Sequence, residues 1–370
     1  MAATYDLAVI GGGVMGCTVA LQLARAGMQV VVAESRSGLC TQASGVNTGH
    51  VALMDGRPYR VPHVLRSMDL WQQAACWLGA DVGWRDRMGL KLAFTEAEAE
   101  ELAQQVAQTT GQGGVAEMVG ANRARQIEPA VSGRVLAAAW TPREGYANPL
   151  LLARAFGAAL AQAGVVVKLD AAVQGIDSGP PFAVETPAGT IRARRLLLAA
   201  GVWMGPIARM LGVDLPMVCR VSQVTVTERQ PPLIAAMLGV ASDTLSLKQV
   251  TNGTVMIGGG WQGIGNPVDG PREVIPEHVV GNLRLACAAV PALARARAVR
   301  TWLGLEARAS DNLPLAGALP GVANGYVLGA VHTGFALSPA MGQMMADAIA
   351  GRAAPPAAFD PGRFLLAGRA

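Results

Sequence analysis

Three short segments carry the residue types and spacings that could bind a cofactor or a substrate. GGGVMG, residues 11–16, has the glycine spacing of a dinucleotide-binding turn. TQASGVNTGH, residues 41–50, is rich in small hydrogen-bonding side chains and ends in a histidine. GLEARASDNLPLAG, residues 304–317, places an arginine and two carboxylates between framing glycines. These residue types permit phosphate binding, hydrogen bonding to a cofactor and a charged contact to a small acid.

The glycines of the first segment each have a physical task. Gly11 allows a tight turn, Gly13 lets a pyrophosphate approach the backbone, and Gly16 lets the following helix pack closely on the strand. A pyrophosphate would lie at the N-terminus of that helix, where free N–H groups and the helix dipole favour an anion. Val14 and Met15 lie between these glycines, and we expect them to contact the same ligand.

The elements around this turn must position it. YDLAVI, residues 5–10, predicts a buried strand, and CTVALQLARAG, residues 17–27, has apolar residues at helical spacing. QVVVAE, residues 29–34, predicts a second strand ending in Glu34, which stands 18 residues after Gly16 and is placed to accept hydrogen bonds from a ribose. This order predicts a bound adenine dinucleotide, FAD or NAD; the alternative is a strand–helix–strand turn without a ligand.

Further along the chain, capping residues and periodicity predict the remaining elements. Asn148 as N-cap and Pro149 at the first position predict a helix ending near Gly164. Thr95 and Glu98 have the spacing of a capping box at the start of an amphipathic helix. Strands are expected within 165–176, 194–204, 221–228, 244–250 and 254–260, with a hairpin over 182–193.

Composition narrows the class of protein. Half of the 370 residues are hydrophobic and 15% are charged, which is typical of a folded enzyme. The net charge of +4 comes from scattered arginines and disfavours nucleic acid as a partner. Five dispersed cysteines without a CxxC pair indicate neither a disulfide framework nor a metal site. No signal peptide and no unbroken spanning helix are recognised, so we expect a cytoplasmic protein, with membrane association only through a partner.

Four pieces, in this order and spacing, resemble the D-amino-acid-oxidase-like FAD enzymes, the group that contains glycine oxidase, sarcosine oxidase and the catalytic subunits of heteromeric proline, hydroxyproline and opine dehydrogenases. They are the glycine turn, the loop 41–50, the strand LLLAAGVW at 196–203, and the C-terminal segments 304–317 and 326–351. The resemblance runs from Tyr5 to about Gly351. It implies an α/β fold, with a Rossmann-like FAD-binding domain (1–55, 145–215 and 300–370) and an interleaved antiparallel-sheet substrate or cap domain (56–144 and 216–299).

The same resemblance implies noncovalent FAD, because no cysteine falls where covalent sarcosine oxidases carry one. A helix capped by Ser338, with Pro339 in its first turn, is expected to point its positive end at the flavin N1–C2=O edge. The residues expected to contact FAD are Gly11, Gly13, Val14, Met15, Gly16, Glu34, Ser35, Arg36, Ser44, Asn47, Thr48, Val173, Ala200, Gly201, Trp203, Thr333, Gly334, Phe335, Ala336 and Leu337.

The third segment departs from the family pattern GLRPxTxDGxPxxG, in which the third position is the arginine that binds the substrate carboxylate. Glu306 stands there, and Arg308 follows two residues later. Arg308 is the candidate clamp; the alternative is a structural ion pair with Glu306 or Asp311. His50 is the candidate catalytic residue on the substrate side, and His332 is expected to pack or to contact the flavin.

The expected reaction is oxidation of an amino acid, preferably a secondary amine of the D-hydroxyproline, proline, sarcosine or opine type, to the imine. Met256 and Ile257 stand where the oxidases place a flavin-facing lysine, which favours transfer of electrons to a partner subunit or carrier. Lys248 and Gln249, on the preceding strand, contact the substrate or only complete the strand. Two alternatives stay open: a stand-alone glycine or D-amino-acid oxidase producing hydrogen peroxide, and a flavin-binding subunit without substrate chemistry.

Overall fold

The computed structural model describes residues 4–54, 57, 59–179, 181–242, 245–267 and 272–367, which form two β-sheets and their flanking helices. The strands are β1 Thr4–Ile10, β2 Val30–Ala33, β3 His50–Val51, β4 Arg85–Ala93, β5 Glu117–Gly120, β6 Ala137–Tyr146, β7 Val166–Lys168, β8 Gly175–Asp177, β9 Phe182–Glu185, β10 Ile191–Leu198, β11 Met217–Arg229, β12 Met237–Val240, β13 Ser246–Gln249, β14 Thr254–Gln262, β15 Ala298–Ala309, β16 Leu315–Ala318 and β17 Gly325–Gly329. The α-helices are α1 Val14–Arg25, α2 Ala43–Val46, α3 Arg60–Gln72, α4 Ala74–Leu78, α5 Glu96–Gly111, α6 Ala121–Ile127, α7 Pro149–Gln162, α8 Met204–Arg209, α9 Pro276–Ala289, α10 Gly334–Ile349 and α11 Arg363–Ala367.

The first sheet has the strand order β16-β17-β10-β1-β2-β7, with β9 attached to β10 and β8 attached to β9. Its central pairs are parallel, and the apolar runs of β1, β2 and β10 are buried on both faces, as parallel strands covered by helices require. One face packs on α1, α7 and α10, and the other on α8. Because β1, β2 and β10 run in one direction, the loops that follow them meet at a single edge, where ligands bind in open α/β sheets.

The second sheet has the order β15-β11-β14-β13-β12-β4-β6-β3, with β5 attached to β6. All of its pairs are antiparallel except β4 with β12, so the predicted antiparallel cap sheet is found with one parallel pair. The apolar side of its middle strands packs against α9 and α6. Its other side faces the ligand-binding edge of the first sheet and closes a cavity there.

The chain passes between the two sheets several times, as the interleaved prediction requires. Strand β15 belongs to the second sheet, so the predicted boundary at residue 300 falls inside a strand. The boundary at residues 55 and 56 lies outside the described residues, as do 1–3 and 368–370. The division into domains therefore stays a prediction.

Several local predictions are confirmed. Thr95 and Glu98 form the capping box of α5, and Asn148 accepts from Leu150 N at the start of α7. The hairpin of β9 and β10 is antiparallel as expected. The single strand predicted over 165–176 is wrong, because the chain turns at Asp170, whose φ is 52°. Ala171 N donates to Glu34 O there, which brings the segment to the end of β2.

The predicted start of the C-terminal helix is also wrong. Helix α10 begins at Gly334, with Thr333 as its N-cap in the left-handed region at φ 56°. Ser338 and Pro339 lie inside the helix. Pro339 lacks the N–H that would bond Phe335 O, and the Ser338 hydroxyl donates to that carbonyl instead at 2.8 Å. A Ser-Pro pair can therefore stand within a helix, although its residue types favour a helix start.

Candidate functional site

A cavity of about 770 Å³ lies between the ligand-binding edge of the first sheet and the polar side of the second. The glycine turn, the loop 41–50 and the segment 199–203 line it from the first sheet. Strands β11, β13, β14 and β15 line it from the second sheet, and 328–336 closes it from the C-terminal side. All three segments singled out from the sequence therefore meet at one cavity.

The glycine turn fits tightly against its neighbours. Gly11 has φ 110°, and a Cβ there would stand 2.6 Å from Ala199 O. A Cβ on Gly16 would stand 2.1 Å from Gly11 O, so α1 can cross the turn only with a glycine at this position. Gly13, Val14 and Met15 at the start of α1 line the cavity, and Val14 N donates to Ser44 Oγ at 3.0 Å. Such a helix start binds anions.

Glu34 is buried at the end of β2, as the sequence predicts. Its Oε2 accepts from Gly12 N at 2.7 Å, and its Oε1 accepts from Arg36 N at 2.9 Å. Through the bond from Gly12 N the Glu34 carboxylate holds the glycine turn in place, and Glu34 also lines the cavity. The turn, the helix start and this carboxylate at one end of a long cavity fit an extended adenine dinucleotide such as FAD.

The loop 41–50 contains the short helix α2. The Asn47 amide donates to Ala43 O and Ser44 O at 2.9 Å, and Asn47 Oδ1 accepts from Gly49 N at 2.6 Å. The Asn47 side chain therefore holds its own loop together, and its predicted contact to the cofactor stays a prediction.

Most residues predicted to contact the cofactor line the cavity. They are Gly11, Gly13, Val14, Met15, Glu34, Ser35, Arg36, Ser44, Asn47, Thr48, Val173, Ala200, Gly201, Trp203, Thr333, Gly334, Phe335 and Ala336. Gly16 does not line the cavity but packs against Gly11 of the turn. Leu337 is fully buried in the core of the first sheet, so its side chain points away from the cavity. The two candidate catalytic residues, Arg308 and His50, both line the cavity.

Arg60, a buried arginine at the start of α3 that the sequence analysis did not single out, reaches the start of α10 with its side chain. The side chain of Arg60 donates from Nη2 to Thr333 Oγ1 at 2.6 Å. Burial lowers the pKa of Arg60 to about 9, while the charges of Glu144 and Glu306 act in the opposite direction. At pH 7 this end of the cavity therefore holds a guanidinium beside a helix N-terminus, and both favour negative charge.

Glu306, Arg308 and His332 form one cluster. Glu306 Oε1 lies 2.8 Å from Arg308 Nε and 2.5 Å from His332 Nδ1. Burial alone would raise the pKa of Glu306, but the hydrogen bond and charge of His332, together with Arg308, lower it to about 2. Burial lowers the pKa of His332 to about 4 although Glu306 opposes the change. At neutral pH the cluster is therefore an anionic Glu306, a cationic Arg308 and a neutral imidazole.

Of the two ion-pair partners that were the alternative to a substrate clamp, Glu306 binds Arg308 and Asp311 does not. Asp311 is bound instead by Arg363, at 2.7 Å. The Arg308 side chain lines the cavity, and within the part of the chain that the structure describes its Nη1 has no hydrogen bond. The ion pair therefore leaves part of the guanidinium available to a ligand.

His50 belongs to a second cluster. Its Nδ1 lies 3.0 Å from Ser246 Oγ on β13, and its Nε2 lies 3.2 Å from Glu144 Oε2 on β6. Glu144 and Ser246 were missed by the sequence analysis, because their partner is about 100 to 200 residues away along the chain. The only signal was Gly89 within a strand, which marks a close approach: a Cβ there would stand 2.3 Å from Glu144 Cδ.

Lys248 and Gln249 do not line the cavity. Lys248 is buried on β13, where Nζ donates to Thr48 O and lies 5.3 Å from the centre of the Tyr146 ring. Burial lowers the pKa of Lys248 to about 7. The Gln249 amide binds the backbone of 230–231 and 253. Both residues connect elements of the second sheet and its neighbouring loops.

The described residues contain no group of His, Cys, Asp and Glu side chains that could hold a metal ion. Within the same residues, no helix has both the length and the apolar character that crossing a membrane requires.

Comparison with known proteins matches most of the chain. The sequence profile of the family DAO, described as FAD dependent oxidoreductase, matches residues 6–348. The chain is 26% identical over 359 residues to dimethylglycine dehydrogenase, mitochondrial, from Mus musculus, covering 89% of this chain and 41% of that protein. It is 24% identical to one subunit of the opine oxidase of Rhizobium meliloti, covering 84% of each chain. The structure of glycine oxidase from Geobacillus kaustophilus aligns with a TM-score of 0.89 and 25% identity, covering 97% of this chain and 99% of that one.

Proposed function

The chain belongs to the DAO family of FAD-dependent oxidoreductases, and we propose that it oxidises the C–N bond of a secondary-amine amino acid to the imine. The observation that carries this proposal is the single cavity that joins the dinucleotide-binding glycine turn to Arg308 and His50. A cofactor bound along the turn and a substrate beside these side chains would share one enclosed space. When bound, FAD supplies the acceptor for a hydride from the substrate carbon.

Arg308 is the proposed carboxylate clamp. Its Nε is held by Glu306, which fixes the plane of the guanidinium while Nη1 stays available in the cavity. A carboxylate bound there would gain a charge-assisted hydrogen bond in a partly buried site. Arg60 and the start of α10 add positive potential on the same side, which favours a negatively charged ligand group.

The names of two relatives support a substrate whose nitrogen is already alkylated, such as a secondary amine. One is named for dimethylglycine, which is a tertiary amine, and the other for opines, which are secondary amines; in both compounds the nitrogen is bonded to more than one carbon. D-Hydroxyproline, proline and sarcosine are the further members of this proposed class.

For the electron acceptor we propose a partner subunit or carrier. Met256 occupies the position at which a flavin-facing lysine was expected in an oxidase, and it pairs with Lys248 on β13. The relative from Rhizobium meliloti is named as one subunit of an opine oxidase, and this similarity supports a multisubunit enzyme. We propose that FAD is held without a covalent bond, so acid denaturation should release it into the supernatant.

The experiment is an anaerobic substrate screen on the purified, FAD-loaded chain. The protein is mixed separately with proline, the hydroxyproline isomers, sarcosine, opines and glycine. Loss of the absorbance of oxidised flavin is followed in each mixture. Reduction by a secondary amine, with slower reduction by glycine, supports the proposal. If every amine leaves the flavin oxidised, with or without partner chains, the chain is a flavin-binding subunit without substrate chemistry.

A stand-alone oxidase is the second candidate, favoured by the structural similarity to glycine oxidase. The reduced enzyme from the screen is mixed with oxygen or with a quinone, and the rate of flavin reoxidation is compared. Fast reoxidation by oxygen with formation of hydrogen peroxide supports the oxidase. Slow reaction with oxygen and fast reaction with the quinone supports transfer to a partner or carrier.

A further inference from the structure

Ser246, His50 and Glu144 form a hydrogen-bonded chain along the cavity wall. All three residues line the cavity, and Glu144 is buried whereas Ser246 and His50 are partly exposed. We propose that this chain is a proton relay for the substrate nitrogen: Ser246 accepts a proton from the substrate ammonium and passes its own to His50, which Glu144 orients. The relay rests on the proposed amine oxidation, since only an amine substrate brings an N–H proton to the cavity.

Hydrogen bonding fixes which nitrogen of His50 can accept the proton. Glu144 Oε1 accepts from Leu53 N and from Thr141 Oγ1, each at 3.1 Å, so this carboxylate acts as an acceptor throughout. The Nε2 atom of His50, at 3.2 Å from Oε2, must therefore carry the hydrogen. A neutral imidazole with its hydrogen on Nε2 has a lone pair on Nδ1, and Ser246 Oγ is placed 3.0 Å away to donate to it.

Glycines in the second sheet make room for the relay. Gly89 on β4 pairs with Thr141 on β6, and a Cβ at Gly89 would meet Thr141 Oγ1 at 2.4 Å as well as the Glu144 carboxylate. Gly258 on β14 pairs with Ser246, and it lines the cavity together with Gly259 and Gly260. The adjacent strand thus places no side chain over the Ser246 hydroxyl.

The other histidine of the cavity is less suited to this task. His332 Nδ1 lies 2.5 Å from both Glu306 Oε1 and Arg308 Nη2, so a further proton there would meet a guanidinium in direct contact. His50 contacts a carboxylate and a hydroxyl. The cations that face His50 are Lys248 on β13 and Arg60 on α3, and they act through charge without a hydrogen bond to the ring.

The step balances in protons and electrons. The substrate N–H bond breaks and its proton binds Ser246 Oγ, while the Ser246 O–H bond breaks and that proton binds His50 Nδ1. His50 becomes an imidazolium whose Nε2–H stays bonded to Glu144. The lone pair released on the substrate nitrogen would then form the C=N bond as the neighbouring C–H bond breaks, and bound FAD would supply the acceptor for that hydrogen and its electron pair, as a hydride.

The first test needs no substrate. The FAD-loaded protein, which has four histidines, is labelled with nitrogen-15, and the His50 ring signals are assigned by their loss in His50→Gln. The relay requires the hydrogen on Nε2 and an unprotonated Nδ1 at neutral pH. A hydrogen on Nδ1 overturns it, because that nitrogen would then donate to Ser246 and could not accept a proton.

The second test is the pH dependence of anaerobic flavin reduction by the best amine of the substrate screen. Ser246→Ala and His50→Gln should lower the reduction rate at pH 7.5 by about 100-fold, the scale of general base catalysis. Near pH 10 a large share of an alkylamine is already deprotonated in solution, so the loss should shrink to roughly 3-fold. Glu144→Gln should shift the profile to higher pH, because Glu144 acts only by positioning His50 and stabilising its charge.

Ser132→Ala is the matched control, since Ser132 is a buried serine outside the cavity that accepts from Arg134 N. It should keep the wild-type profile. A loss in Ser246→Ala that is equal at pH 7.5 and pH 10 indicates a structural role and overturns the relay, as does an unchanged rate. If wild-type flavin is reduced by no amine at any pH, the proposed function fails and the relay with it.

Discussion

Arg308 Nε lies 2.8 Å from Oε1 of Glu306, two residues earlier on the same strand. Residues i and i+2 of a strand project from the same face, so both side chains reach the cavity from β15. The Glu306 carboxylate, at the position where the sequence pattern predicts a clamp arginine, thus holds Arg308. This ion pair holds the Arg308 guanidinium at the cavity, although Arg308 stands two residues after the position at which the sequence pattern has its arginine.

Removing Arg308 should weaken substrate binding more than turnover. We expect Arg308→Ala to raise KM by roughly 30-fold, from loss of a charge-assisted hydrogen bond of about 2 kcal/mol. Steady-state kinetics with the amino acid found in the substrate screen measure the change. Arg363→Ala is the control, because Arg363 pairs with Asp311 outside the cavity and its loss should leave KM unchanged. An unchanged KM in Arg308→Ala would mean that Arg308 pairs with Glu306 but does not bind the substrate carboxylate.

Gly16→Ala should abolish FAD binding. Its Cβ would stand 2.1 Å from Gly11 O, so either α1 or the phosphate-binding turn must move. The ratio of flavin absorbance to protein absorbance after purification measures the loss. Gly157→Ala, in the middle of α7 with no atom within 4 Å of the added Cβ, should keep full FAD content and add about 0.5–1 kcal/mol of stability. Full FAD content in Gly16→Ala would contradict this account of the turn.

His332 should make stability depend on mildly acidic pH. Its pKa is lowered to about 4 in the folded protein, whereas an unfolded histidine has a pKa of about 6.5. Between these values the unfolded chain binds the additional proton, so the free energy of unfolding falls by up to about 1.4 kcal/mol for each unit that the pH decreases. Urea unfolding in saturating FAD at pH 4.5, 5.5 and 6.5 measures this slope.

His332→Asn should lose this contribution, and its curve should be flatter than the wild-type curve over the same range. The window ends above the region in which Glu306 titrates, because the pKa of that carboxyl is lowered to about 2 and the stability that depends on its charge is lost below about pH 4.3. Parallel curves for the two proteins would mean that His332 is protonated equally in the folded and unfolded chains.

Lys248 should have the corresponding effect at alkaline pH. Burial lowers its pKa to about 7, while an unfolded lysine has a pKa of about 10.4. The unfolded chain binds more protons between these values, so the free energy of unfolding should rise with pH from 7 to 10. Lys248→Met should remove that rise, and Lys168→Met on the edge strand β7 should keep it. Equal slopes in wild type and Lys248→Met would refute the assignment.

Sequence reasoning succeeded where the chemistry is local. The glycine turn and Glu34 lie within 24 residues of each other and follow from strand, turn and helix signals. The contact between Glu144 and His50 joins residues 94 positions apart, and the contact of His50 with Ser246 joins residues 196 apart. No local pattern encodes such contacts, because they depend on how β3, β6 and β13 are arranged in the second sheet.

At Ser338 the sequence does contain a local signal, but the signal misleads because tertiary packing overrides it. A serine followed by proline predicts a helix start, yet Ser338 is fully buried within α10 and its hydroxyl bonds the carbonyl that Pro339 leaves without an N–H. Arg60 was missed for a related reason. A charged residue at the start of a helix is ordinarily exposed, and only the packing of α3 against α10 buries it beside Thr333.

The order of strands in the first sheet also bears on how the chain is made. Strand β1 lies between β2 and β10, and β10 in turn pairs with β17, which begins about 300 residues after β1 ends. Strand β10 ends about 130 residues before β17 begins, so at 5–20 residues per second a ribosome needs roughly 6–25 s to deliver β17 after β10. Over that interval the apolar edge of β10 has no partner on one side. The nascent chain therefore needs protection from aggregation until synthesis is nearly complete.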